Sequence, residues 1–191
     1  MLEINFNPFP NLTTDRLILK QITIADENDF FRMRSDKQIM KYISRPLAKD
    51  VKDVRVLIEI FDDGIKKNER INWGIYLKTD NRLIGSIGYV HIYPENHRAE
   101  IGYLLDIPFH GKGIMKEAIE KVIDFGFTEL KLHTIEALVQ HMNIASSKLL
   151  QKNKFVKEAH FKDYLYYEGK YIDAVVYSLI NPLEEKTWFL K

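Results

Sequence analysis

Residues Phe109–Phe127 read FHGKGIMKEAIEKVIDFGF. Gly111 and Gly113 flank a lysine, and a helical pattern follows at once. Met115, Ala118, Ile119, Val122 and Ile123 fall on one face, with Lys116, Glu117, Glu120, Lys121 and Asp124 expected in solvent. A loop that only turned a corner would need one glycine at most. A helix start leaves backbone N–H groups unpaired and carries the positive end of the helix dipole. Two glycines there keep side chains clear, so an anion, above all a phosphate or pyrophosphate, can dock against the backbone. The alternative is an ordinary strand-to-helix turn that uses glycine for its geometry.

Two common phosphate loops do not fit. The P-loop needs two glycines five apart followed by Lys-Ser or Lys-Thr, and here the glycines are two apart. The dinucleotide fingerprint G-x-G-x-x-G places its third glycine where Lys116 stands. Its context differs too, because the preceding strands look antiparallel.

Working outward, DRLILKQI (Asp15–Ile22) alternates as a first strand. TIADENDFFRMR opens a helix with Asp26 as its expected cap, and residues 49–68 carry a second helical stripe. Three aromatic and β-branched runs, INWGIYLK, RLIGSIGYVHIY and AEIGYLLD, are separated by TDN and PENH and predict a tight antiparallel meander. After the glycine-led helix, HTIEALV (His133–Val139) is a strand and NIASSKLLQKN a short helix capped by Asn143. FVKEAHFKDYLYYEGKYIDAVVYSLI predicts a hairpin turning at Glu168-Gly169, its tyrosines Tyr164, Tyr166, Tyr167 and Tyr171 alternating between core and pocket lining. The order is β-α-α-β-β-β-α-β-α-β-β, an α/β fold with a mostly antiparallel sheet. Its one parallel neighbour pair would be strands 100–106 and 133–139, joined by a crossover of the length such a unit requires.

With 191 residues, 46% hydrophobic and 12% aromatic, the chain can build one substantial core, so a single domain over 1–191 is expected. A formal net charge of +1 gives no overall basic footprint for nucleic acid. There is no apolar run long enough for a bilayer and no secretion-signal pattern at the N-terminus. No cysteine is present, which excludes a disulfide framework and a thiol nucleophile. The six histidines show no pair at helical metal-ligand spacing, so no metal is expected. These features predict a cytoplasmic protein; whether it forms a homodimer stays open.

GYLLDIPFHGKGIMKEAI resembles the cofactor-binding motif of the GNAT acyltransferases, a strand, then [QR]-x-x-G-x-[GA], then a helix. His110–Met115 occupy the hexad with Gly113 at its fixed glycine, while His110 and Met115 depart from the pattern. The GKGIM form resembles the ribosomal-protein N-terminal acetyltransferase branch, the RimJ/RimL type. So do LTTDRLILKQITIAD, NIASSKLLQKNKF and YLYYEGKYIDAVVYSLI, all in register over about residues 12–181. The resemblance leaves 182–191, with Trp188 and Phe189, as a tail.

The resemblance implies a seven-stranded mixed sheet with about four helices and a splayed parallel pair at 100–106 and 133–139. It implies direct acetyl transfer from acetyl-CoA to a primary amine, in keeping with the missing cysteine. The pyrophosphate would lie on His110, Gly111, Lys112, Gly113, Ile114 and Met115. Main-chain groups of Tyr103, Leu104 and Leu105 would face the pantetheine and the thioester carbonyl. Asn143 would bond the pantetheine arm, and Ser146 would donate to the departing sulfur. Read without the resemblance, Asn143 is a helix cap and Ser146 a surface residue. Many family members place a tyrosine where Leu150 stands.

Glu100 is the first candidate for general base, acting through water, with His133 and His91 as alternatives; Glu100 could equally be a solvated strand-edge carboxylate. An α-amine of pKa about 8 is easier to deprotonate than a lysine at about 10.4, by about 3.3 kcal/mol at neutral pH. The want of a clear base therefore leans toward a peptide N-terminal α-amine as acceptor. A small-molecule amine (polyamine, antibiotic or amino-sugar) is the alternative, and a non-catalytic acyl-CoA-binding module a third. A strongly acidic acceptor cleft would favour polycations.

Overall fold

The computed structural model describes residues 1–182, and the tail with Trp188 and Phe189 lies outside the described residues. Eight strands form one open sheet in the order β1-β2-β3-β4-β5-β6-β8-β7. They are β1 (Leu12–Thr13), β2 (Leu17–Gln21), β3 (Ile71–Leu77), β4 (Leu83–Tyr93), β5 (Arg98–Leu105), β6 (Thr134–Gln140), β7 (Val156–Tyr167) and β8 (Lys170–Ile180). All pair antiparallel except β5 and β6. The strand beyond the expected seven is β1, too short to carry an alternating pattern.

Four α-helices cover the sheet: α1 (Glu27–Ser35), α2 (Val51–Lys66), α3 (Ile114–Thr128) and α4 (Ile144–Lys152). Central strand β3 is buried along almost its whole length because helices cover both of its faces. One face holds Ile71, Trp73 and Ile75 against Ala118, Ile119, Val122 and Phe125 of α3 and Leu150 of α4. The other holds Tyr76, Leu83 and Leu104 against Phe30 and Met33 of α1 and Val54 and Ile58 of α2.

Local chemistry explains the ends. Asp50 starts α2 by accepting from the N–H groups of Lys52 and Asp53. Asp26, expected to cap α1, makes no side-chain bond into that helix; its carboxylate reaches back to Thr23 N–H at 2.8 Å. The β7–β8 hairpin turns at Glu168-Gly169 as expected. Of Tyr164, Tyr166, Tyr167 and Tyr171 only Tyr167 is partly buried, however. β7 is the sheet edge, and Tyr164, Tyr166 and Tyr171 are more than half exposed. Residues ahead of β1 also belong to the core: Phe6 is buried, and Trp73 Nε1 donates to the Pro10 carbonyl at 2.6 Å.

Candidate active site

β5 and β6 pair only at Arg98–Thr134, Ala99–Ile135 and Glu100–Glu136, after which their ladder ends. The cause lies one strand away. β4 carries a bulge between Tyr89 and His91, opposite Ile101 and Glu100. An extra residue in one strand bends and twists the pair, and beyond this point β5 no longer runs beside β6. A cavity of about 610 Å³ opens at the split, walled by β3 to β6, the α1–α2 layer and the start of α4.

At the head of α3, Gly111 and Gly113 both have left-handed backbone, φ +72° and +75°. Only glycine adopts that conformation freely, which answers why two are spent there. Gly113 occupies the N-cap position and no side chain caps the helix. A Cβ on Gly111 would touch nothing within 4 Å, and the stretch Gly111–Gly113 is exposed, so the helix start is open to an anion. Ile114 and Met115 are buried in the core. At those two positions only main-chain N–H groups are left to bind, so an apolar Met115 suits its place. The His110 ring is tied to the Leu105 carbonyl at 2.9 Å, and Lys112 is exposed.

The loop is braced from the turn between β1 and β2. Arg16 donates to the Lys112 carbonyl at 3.0 Å and pairs with Glu117 at 2.6 Å. Glu117 also accepts from Arg16 N–H and the Thr14 hydroxyl, so it is not the free solvent residue its helical position predicts. Its partial burial raises the carboxyl pKa, but the bonds from Thr14 and Arg16 outweigh this and hold it below the usual carboxylate range.

Tyr103, Leu104, Glu100, His91, Asn143 and Ser146 line the cavity, while Leu105 and residues 110–115 lie outside its wall. Asn143 caps α4, its side chain accepting from Ser146 N–H at 3.1 Å. Ser146 Oγ sits 2.7 Å from the Tyr103 hydroxyl. Burial pushes the Tyr103 phenol up to about 12, with the Ser146 bond opposing. Leu150 is fully buried among core side chains, and the phenol that reaches Ser146 comes from β5. Cross-strand pairing sets Glu100 opposite His91, and Glu100 Oε2 meets His91 Nδ1 at 3.2 Å. The neighbouring Glu136 is taken by Arg98 at 2.8 Å. His133 stands at the entry to β6, outside the cavity wall.

Among the cavity residues that sequence reading missed are Asn72 and Ser86, buried polar groups on β3 and β4, and Arg34 and Arg45. It also assigned Tyr103 by its main chain alone. Polar residues inside apolar runs were the signal for Asn72 and Ser86; the other contacts depend on how distant segments meet. No group of His, Asp or Glu among the described residues could hold a metal ion. No helix among them is long and apolar enough to cross a membrane.

Comparison with known proteins agrees with this geometry. The chain is 37% identical over 177 residues to a Bacillus subtilis (strain 168) protein named uncharacterized N-acetyltransferase YoaA, covering 92% of this chain and 99% of that one. It is 24% identical over 184 residues to the [ribosomal protein uS5]-alanine N-acetyltransferase of Escherichia coli (strain K12), covering 92% and 93%. A solved GNAT-family acetyltransferase from Bacillus anthracis superposes with TM-score 0.81 at 26% identity, covering 90% and 99%. The family model described as the acetyltransferase (GNAT) domain matches residues 16–156. A sheet split after three parallel pairs, an uncapped glycine-led helix and this match place the chain in the GNAT family of acetyl-CoA-dependent acetyltransferases.

Proposed function

We propose that the chain acetylates a primary amine directly, with a peptide N-terminal α-amine as acceptor. The carrying observation is that two proton-handling pairs, Ser146–Tyr103 and Glu100–His91, line one cavity at the β5–β6 split. Acetyl-CoA, when bound, supplies an acetyl thioester that an amine can attack. The backbone at Gly111–Met115 would hold its pyrophosphate, and the free strand edge of Tyr103–Leu105 its pantetheine. Asn143 would steady the same arm while capping α4. Transfer joins carbon to nitrogen and breaks carbon from sulfur, so one proton must leave the amine and one must reach the sulfur. Glu100, with His91 beside it, takes the first. Ser146 Oγ supplies the second and is refilled from Tyr103, whose raised pKa keeps it protonated at neutral pH. A peptide acceptor is supported by the likeness to the uS5-alanine enzyme.

Ser146→Ala is expected to lower kcat by about a hundredfold with little change in KM for acetyl-CoA. Tyr103→Phe should cost about tenfold in kcat. A wild-type turnover number in Ser146→Ala would dismiss the acid role. The acceptor is tested by thiol release with a panel of N-terminal peptides, polyamines and aminoglycosides. Turnover confined to the small molecules would overturn the peptide reading.

A further inference from the structure

The chain contains eight arginines. Arg16, Arg32, Arg55, Arg82 and Arg98 each pair with a carboxylate. The remaining three, Arg34, Arg45 and Arg70, have no ion pair among the described residues, and all three line the cavity. Arg34 lies in the last turn of α1, Arg45 follows in the loop ahead of α2, and Arg70 precedes β3. Arg70 also borders a shallow groove with Glu59, Asp63 and Glu69, so its charge is partly answered there. Among the described residues lining the cavity, no such carboxylate answers Arg34 and Arg45. Burial, then the like charge of Arg45, lowers the Arg34 pKa, with Tyr167 of the β7–β8 hairpin opposing. Among the described residues the cavity wall holds a single carboxylate, Glu100, already facing His91.

Asn72 is an independent pointer. It is 6% exposed, lines the same cavity, and its Oδ1 has no hydrogen-bond partner. A buried acceptor left unmet is costly and calls for an N–H donor. The cavity thus asks for a donor at β3 and for negative charge at the α1 side.

We propose that the acceptor molecule carries a carboxylate or phosphate beside its amine, held by Arg34 and Arg45, with Asn72 Oδ1 accepting from an amine or amide N–H. This rests on the reading above that the cavity admits the acceptor. Guanidinium groups bind both anions in bidentate fashion and more strongly than neutral partners. The same charges repel polycations, so a polyamine is the wrong guest. For a peptide, the site selects an acidic residue close to the N-terminus.

The test uses the full chain and matched peptides whose second residue is Asp, Asn or Lys, together with phosphoethanolamine and ethanolamine. Thiol release should give kcat/KM for the Asp peptide about tenfold or more above the Asn peptide, and lowest for Lys. Arg34→Gln and Arg45→Gln should erase that preference, lowering kcat/KM for the Asp peptide to about that of the Asn peptide. A preference for phosphoethanolamine over ethanolamine larger than Asp over Asn would identify phosphate as the anion. Equal turnover across charge, or a preference that survives both substitutions, overturns the inference while leaving peptide acetylation standing. Calorimetry with CoA present separates the converse: Arg34-dependent binding of the Asp peptide without acetylation would sink the peptide reading and keep the anion site.

Discussion

Gly113→Glu is expected to weaken acetyl-CoA binding by a factor of a hundred or more without unfolding the chain. Gly113 is exposed at φ +75°, and the only atom near an added Cβ is Arg16 Nη2, at 3.5 Å. Forcing a side chain into left-handed backbone costs about 1–2 kcal/mol, which a domain of ordinary stability survives. The carboxylate, however, would stand at the helix start where a pyrophosphate is to lie. Two unit charges about 4 Å apart repel by about 4 kcal/mol at an effective dielectric near 20, and by less where water screens them. Even half of that is about thirtyfold in affinity, and the new carboxylate would also occupy the N–H groups meant for the ligand. Gly113→Gln separates charge from bulk and should fall between Glu and wild type. Calorimetry finding the Glu variant as tight as wild type would overturn the assignment of the loop.

Much of this site was legible because its signals are local. The glycine spacing, the apolar face of α3, the Asn143 cap and the Glu168-Gly169 turn each follow from residues within a few positions of one another. What was not legible depends on strands meeting. No pattern in RLIGSIGYVHIY announces a bulge at Val90, yet that bulge precedes the split between β5 and β6. Glu100 and His91 were weighed as rival bases; antiparallel register makes them partners. Tyr103 reads as strand filler until α4 brings Ser146 within 2.7 Å of its hydroxyl. Glu117 has a solvent position on a helical wheel but meets Thr14 and Arg16 from the turn between β1 and β2. The hairpin tyrosines alternate correctly for a half-buried strand, but β7 lies at the sheet edge, where most of its residues are exposed. The arginines Arg34 and Arg45 stand out only once every other arginine but Arg70 has found its carboxylate.

Gly126→Ala should be among the most damaging single-methyl changes in the chain. Gly126 lies in α3 where the helix crosses β4, and an added Cβ would sit 2.1 Å from Tyr89 Oη and 3.0 Å from its Cζ. Tyr89 is fully buried, donates to the Val122 carbonyl at 2.7 Å, and stands edge-on to Trp73. It has no room to retreat. Overpacking costs about 1–3 kcal/mol, and a buried hydroxyl stripped of its acceptor adds about 1–3. Alanine's better helix propensity returns only about 0.5–1 kcal/mol. A net loss of about 2–4 kcal/mol would lower Tm by about 5–15 °C in a chain of this size. The diagnostic is the double mutant. Tyr89→Phe removes the atom the methyl strikes, so Gly126→Ala/Tyr89→Phe should be more stable than Gly126→Ala alone. Strict additivity of the two single losses would show that the Tyr89 hydroxyl is not what the glycine accommodates. The consequence reaches the cofactor end of the site, because Tyr89 is the last β4 residue before the bulge and Gly126 sets how closely α3 lies on the sheet. Lifting α3 moves its N-terminus relative to the β5 edge. Gly126→Ala should therefore raise the KM for acetyl-CoA below its melting range, and the Tyr89→Phe background should bring KM and Tm back together.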